Sequence, residues 1–410
     1  MRLLNMLALV LLLGAFSAPA RTDELEPARL AKEELGERFL LQVNYSEDED
    51  NVRAFKTSRS RIVTFERRGA ALVMHAADDG AQLFAPIPIR DETEQHVELD
   101  LNAGLDRVYA EEDRTGEDYY GRVDKHDHRA VELRDRQAVS VSCHGPLLVF
   151  DQEARNDDGA RLVMHYYLRR YRPDPDFEPF EMTSLKHFGF YETYPREHEG
   201  RSVLYAMKFS AHAPIVFALS DEIPAPYRDA VRDGVLYWNR ALGTPLLRVV
   251  DAPAGVEAPS PAYNMIQWVA SDDYSSTSYI QSDPWTGQIL HAHVFVLKET
   301  MMDGDLAEQN DHLRYIVAHE IGHALGLRHN FAPGRASTVM DYYGRRQILA
   351  MGRDIAAAEP ALPYDRQVIR HVYLGEPLQV DALPPFCTDG QKGCSPFPSP
   401  PPRETLEPLP

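Results

Sequence analysis

The sequence predicts an α+β protein in two halves: a β-rich N-terminal half, then a half in which a few strands and helices carry the chemistry. Three observations predict it. Between residues 39 and 171, short alternating apolar runs are separated by turns such as Asp78-Asp79-Gly80 and Asp157-Asp158-Gly159, the signature of half-buried strands. Beyond residue 224 the period changes: Tyr227, Val231, Val235, Trp238 and Leu242 fall on one helical face. Near residue 320 lies a histidine-rich run with a spacing that only a helix turns into a cluster.

Of the 410 residues, 43 are Lys or Arg and 63 are Asp or Glu, a formal charge of −20. Phosphate recognition needs clustered cations, so nucleic acid is excluded as a partner. Residues 1–20 read as a signal peptide: Arg2 is followed by an apolar stretch over 3–16 and by Ala18-Pro19-Ala20, with cleavage expected after Ala20. No later stretch is apolar and long enough to cross a bilayer. A secreted or periplasmic location follows as the expectation.

Residues 21–205 are expected to form the β-rich domain. Its first part, 21–38, is charged and reads as a short helix or an arm. Strands are expected at 39–45, at 62–66 and 71–75 around Arg68-Gly69-Ala70, at 96–101, at 138–143, at 147–150 and at 162–171. The charged segment 111–136 reads as loop. Arg172-Pro173-Asp174-Pro175 begins an extended linker.

Residues 206–385 are expected to form the second domain. The order is a strand at 215–219 and a helix opened by Pro224 and Pro226 and stopped by Gly243 and Pro245. Strands follow at 246–250, 265–269, 276–281 (an edge) and 289–297, then a helix from about Asp311 and a last helix over 362–373. Residues 386–410 are a cysteine loop and a proline-rich tail. Cys387 and Cys394 sit close together among glycines, and a local disulfide is expected.

The run His319-Glu320-Ile321-Gly322-His323-Ala324-Leu325-Gly326-Leu327-Arg328-His329 holds the chemistry. Four residues apart on a helix, His319 and His323 leave the same face one turn apart and can share one zinc ion. Gly326 lacks a Cβ, so it can take a left-handed conformation and turn the chain back to bring His329 in as third ligand. Three protein ligands leave a position for water, the open form of a zinc site. Glu320, beside the ligands, is placed for general base work.

Eleven residues after His329 stands Met340, in Ser337-Thr338-Val339-Met340-Asp341-Tyr342. With this turn the chain resembles the metzincin metallopeptidases, which implies a twisted mixed sheet, a backing helix, a zinc-site helix and a methionine turn under the metal. The segments Tyr263-Asn264-Met265-Ile266-Gln267-Trp268-Val269, Asp283-Pro284-Trp285-Thr286-Gly287 and Leu327-Arg328-His329-Asn330-Phe331 are similar to bacterial secreted zinc-dependent metallopeptidases that carry a large β-rich N-terminal region. The resemblance implies a protein or peptide substrate and one catalytic zinc. It also gives Tyr342, two residues after Met340, the place of the tyrosine near the metal in astacin-like and serralysin-like enzymes, with an oxyanion-stabilising role.

Several alternatives stay open. Cys143 reads either as a buried small residue or as a latency thiol over the zinc. Asp303-Gly304-Asp305 is compatible with a calcium ligand or a plain turn. His291 and His293, alternating on one strand, read as a strand face rather than a second metal site. A non-catalytic zinc-stabilised binding or adhesion module, or a zymogen held latent by its N-terminal domain, are the alternatives to an active endopeptidase.

Overall fold

The computed structural model describes residues 27–47, 55–110, 129–144, 146–182, 187–269, 276–297, 304–331, 337–383, 386–388 and 394. The leader expected at 1–20, Asp303 of the possible calcium turn, and the tail from 395 onward lie outside the described residues.

The alternating pattern of the first half becomes strands β1 (Ala28–Ala31), β2 (Phe39–Glu47), β3 (Lys56–Arg68), β4 (Ala71–Ala76), β5 (Ile87–Glu92) and β6 (His96–Leu99). A single helical turn, α1 (Leu101–Gly104), separates these from β7 (Arg107–Ala110), β8 (Arg129–Glu132), β9 (Arg134–His144), β10 (Leu147–Arg155) and β11 (Arg161–Arg170). Among the described residues, nine of these strands form one antiparallel sheet in the order β1-β6-β5-β4-β3-β2-β11-β10-β9, and β7 pairs with β8. The expected hairpin at Arg68-Gly69-Ala70 is β3–β4, with Gly69 at φ +62°. Val63, Phe65, Leu72, Met74, Leu162 and Met164 send one face of this sheet into a core of its own.

Two expectations for this half are corrected. Within the expected helix or arm over 21–38, residues 28–31 are a strand paired with β6, and the helical part is the single 3-10 turn Lys32–Glu34. The segment expected as loop over 111–136 contains β8 and the start of β9. Both strands are poor in aliphatics because one is half of a small two-stranded ribbon and the other is a sheet edge, largely wetted by solvent.

The second half begins with a short hairpin, β12 (Arg196–His198) and β13 (Arg201–Val203). Then come β14 (Ile215–Leu219), α2 (Arg228–Leu242), β15 (Leu247–Asp251), β16 (Asn264–Val269), β17 (Thr277–Ser282), β18 (Ile289–Leu297), α3 (Leu306–Ala324), α4 (Arg345–Ala356) and α5 (Pro363–Leu374). The five strands form one sheet in the order β15-β14-β16-β18-β17, all parallel except the antiparallel edge strand β17. The sheet has two unlike faces, since strand side chains alternate. Phe217, Leu219, Ile266, Val294 and Val296 face the helices. Met265, Val269, Phe295 and Tyr279 face the other way, along with His293 and Gln281, toward the N-terminal sheet: Gln281 Nε2 donates to Asn44 Oδ1 of β2 over 3.2 Å.

Two helix expectations also change. The zinc-motif helix α3 begins at Leu306 rather than near Asp311, because Asp305 caps it by accepting from the Glu308 N–H at 3.0 Å. Helix α4 was not anticipated. Its internal Gly352 reads as a weak point, but a Cβ there would lie 1.9 Å from the Asp311 carbonyl oxygen, so the glycine is where α4 crosses α3. Met182, Phe188, Phe190 and Ala206 share one apolar core with Phe217, Trp238 and Ile321.

Candidate metal centre

Helix α3 is fixed from behind before its histidines matter. It crosses α2 at Gly234, where a Cβ would come within 2.7 Å of Val317 and 2.9 Å of the Arg314 carbonyl. Beside the crossing, the fully buried Trp238 donates its indole N–H to the Ala318 carbonyl at 2.8 Å. Every residue from Val317 to Leu327 is buried, so the stretch that bears His319 and His323 has no room to shift.

The helix ends at Ala324, and Gly326 follows at φ +101°. A Cβ at Gly326 would meet the Met207 backbone oxygen at 2.0 Å. Both facts demand glycine, and the turn the sequence expected is there. The chain then reverses so that Leu327 forms a bridge with Phe190, and Arg328 donates to the Phe190 carbonyl at 2.9 Å and to Glu192 at 3.1 Å. His329 is thereby delivered to the other two.

The Nε2 atoms of His319, His323 and His329 stand 3.2 Å (His319–His323), 3.2 Å (His319–His329) and 3.0 Å (His323–His329) apart. Nitrogens bound to one tetrahedral zinc at 2.0–2.1 Å lie about 3.3 Å apart, so the trio has the spacing of a zinc ligand set. Their other ring nitrogens set the tautomers. His319 Nδ1 donates to the Val339 carbonyl at 2.7 Å, and His323 Nδ1 donates to the Leu327 carbonyl at 2.8 Å. Each leaves a bare Nε2 lone pair pointing at the shared point. Burial also holds the pKa of His323 well below the usual histidine range, favouring the neutral form that ligates. The donor set fits zinc.

The floor of the site is the methionine turn. Met340 is fully buried, and its Sδ occupies the space that a side chain on Gly322 would need: a Cβ there would lie 2.2 Å from the sulfur. The turn is held by a buried carboxylate that sequence reading missed. Asp365 of α5 accepts from the Val339 N–H at 2.9 Å, from the Thr338 hydroxyl and from the Tyr237 hydroxyl of α2. Burial pushes its pKa up to about 6 despite these donors. Asp365 thus ties α2, α5 and the turn together, and Val339 in that turn orients His319. Only its place in the first turn of a helix hinted at Asp365; its partners are far away in sequence.

Glu320 is 6% exposed, and burial raises its carboxyl to about 8. A dication beside it acts in the opposite direction, favouring the carboxylate. Tyr342 is 45% exposed, its ring stacked on His319 at 5.3 Å and 4.8 Å from His329. Asn330, next to His329, accepts from the Cys387 N–H at 3.0 Å, and Cys387 forms the expected disulfide with Cys394.

The structure does not bring the other candidates here. Cys143 is exposed on β9, the outermost strand of the nine-stranded sheet. The donor cluster among the described residues is His319, His323 and His329, without its sulfur. His291 and His293 lie on β18, where burial lowers them to about 4 and about 3. They belong to the sheet face turned toward the N-terminal half.

Residues 301–374 match a family model described as Met-zincin. No curated protein and no solved structure matches the chain. The match spans the helix, the three histidines, the methionine turn and α5. Residues 301–374 of this chain are therefore a Met-zincin region, of the zinc-metallopeptidase type in general, and its three close histidines, His319, His323 and His329, are consistent with a metzincin zinc site.

Proposed function

We propose that the protein is an extracytoplasmic zinc-dependent endopeptidase. The observation that carries this reading is the convergence of three histidine Nε2 atoms within 3.2 Å of one another, with the buried Glu320 next in sequence to the first of them. His319, His323 and His329 would hold the ion. When bound, zinc supplies Lewis-acid activation of water and of the scissile carbonyl.

The chain's own residues do the rest. Glu320 takes the proton from the attacking water and returns it to the leaving nitrogen. Its apolar surroundings make it a stronger base than an exposed carboxylate. Tyr342, stacked beside the ligands and open to the cleft, donates its hydroxyl to the oxyanion. Met340 and the Asp365 clamp keep the ligands from moving as charge develops. The expected leader at 1–20 supports the extracytoplasmic location.

The test uses the full chain loaded with zinc on a mixed peptide library. Glu320→Gln is expected to lose about 10²-fold to 10⁴-fold in activity while keeping one zinc per chain. Tyr342→Phe is expected to lose about 10-fold to 100-fold in kcat, also with zinc kept. Zinc-loaded wild type that cleaves no peptide, or a Glu320→Gln chain as active as wild type, would sink the reading.

A further inference from the structure

Away from the histidines, the structure buries one lysine in an unusual way. Lys208 is 6% exposed. It forms no ion pair among the described residues; Glu178, exposed on the lining of the same cavity, acts on it through charge alone. Its backbone is pinned on both sides, N–H to the Gly287 carbonyl at 3.0 Å and carbonyl to the Ile289 N–H at 2.7 Å. The side chain is therefore held in place. Its Nζ lies 4.9 Å from the centre of the Phe177 ring and 5.9 Å from that of Tyr373.

Two rings offset part of the cost of burying an ammonium, each by about 2 kcal/mol at best. They do not satisfy its three N–H donors. Burial keeps the pKa of Lys208 below the usual lysine range, the mark of a charge still short of a counter-ion.

Lys208, Phe177 and Tyr373 line a cavity of about 300 Å³ that opens past the exposed Leu374. Phe180 and Val372 add to its apolar wall. Glu178, Ser210 and His212 also line it, so the cavity combines apolar walls with a few polar groups around the Lys208 ammonium, the composition of a small-ligand site. A single ammonium matches a monoanion; a phosphate is better served by several donors or a guanidinium fork. The apolar walls ask for an apolar body attached to that anion.

We propose that this cavity binds a carboxylate carried on an apolar chain, with Lys208 as its counter-ion. Two sources supply that chemistry: the C-terminus of a peptide ending in an apolar residue, and a short fatty acid. Tyr373 links the cavity to the metal helix, since its hydroxyl donates to the Leu325 carbonyl at 2.8 Å while accepting from the Phe209 N–H at 3.1 Å. The site is nonetheless separate from the histidines, and binding there does not depend on peptide hydrolysis.

The experiment is calorimetric titration of the full zinc-loaded chain with N-acetyl-Gly-Leu and octanoate, each beside its amide. At least one acid is expected to saturate at one per chain, and its amide to bind about 10-fold more weakly or worse. The bound acid is expected to protect Lys208 from amine acylation, read by peptide mass spectrometry. Lys208→Met is expected to bring the acid's affinity down to that of the amide. Which acid saturates identifies the source. Acid and amide binding alike, neither acid binding, or Lys208 acylated at the same rate with and without the acid would each overturn the proposal on the unmutated protein, whatever the fold of the variant.

Discussion

The two faces of the five-stranded sheet differ in what they bury. Toward the helices, Phe217, Leu219, Ile266, Val294 and Val296 pack without a polar atom among their side chains, against α2 and α3. Toward the N-terminal sheet the buried residues include His293, Gln267 and Gln281, of which Gln281 meets Asn44 of β2. Among the described residues, Gln42 Nε2, Asn44 Nδ2, Gln267 Nε2 and His293 Nδ1 are buried with no protein hydrogen-bond partner. The first face is a core, and close packing there transmits to His319 and His323. The second is a more polar seam, with buried amides and a histidine among its apolar side chains. The metal centre is built on the first face, and the N-terminal sheet packs on the second.

The largest effect is expected on the side of the metal centre. Gly326→Ala puts a Cβ against the Met207 backbone oxygen and keeps a positive φ that alanine resists. The expected cost is about 3 kcal/mol or more, with His329 displaced. Urea unfolding and zinc competition against a chelator measure both, and a variant with wild-type zinc affinity would break the claim that this turn delivers the third ligand.

A smaller, pH-dependent effect belongs to the seam. Burial lowers His293 to about 3 and His291 to about 4, with Arg169 of β11 adding to the shift of His291. Both lie below the value of 6.5 taken for the unfolded chain. Between these limits the unfolded chain binds more protons than the folded one, so stability falls as pH falls. The full contribution is present above about pH 6.5 and is lost on the way down to about pH 3–4. The expected loss by pH 4.5 is on the order of 5 kcal/mol for the two histidines together. Urea midpoints from pH 7.5 to 4.5 should flatten in the double variant His291→Gln with His293→Gln; curves parallel to wild type would show that these rings are not the titrating groups.

The smallest effect concerns the hydrogen bond that crosses the seam. Gln281→Leu removes this bond while Asn44 Oδ1 keeps the Thr57 hydroxyl as a donor at 3.1 Å, and is expected to cost about 1 kcal/mol or less; Asn44→Leu also takes the acceptor from Thr57 and is expected to cost about 1–3 kcal/mol. Additive single effects in a double-mutant cycle would contradict the contact.

The same contrast explains what was legible in the sequence. His319, His323, Gly326, His329 and Met340 lie within 22 positions, and helix geometry with one glycine turn converts that spacing directly into space. The disulfide between Cys387 and Cys394 is local for the same reason. Asp365, Tyr237, Arg328 with Glu192, and Lys208 took their roles from partners far along the chain, and no periodicity announces them. Helix α4 was hidden by Gly352, which weakens a helix locally and is required by its crossing with α3. The β1 and β8 strands were hidden by charge, because strands near an edge need little apolar surface.

The placement of His329 also sets an order of assembly. His319 and His323 are ready once one helix forms, an event of short range. The turn that carries His329 is held by Arg328 to Phe190 and Glu192, at sequence separations of 138 and 136, while its neighbour Asn330 binds Cys387 at a separation of 57. Contacts of such range form late, since the intervening loops must close first. A nascent chain therefore displays two histidines as a weak, open chelate long before it owns the third. The complete three-histidine set arrives last, when residues on both sides of the motif have already taken their folded positions.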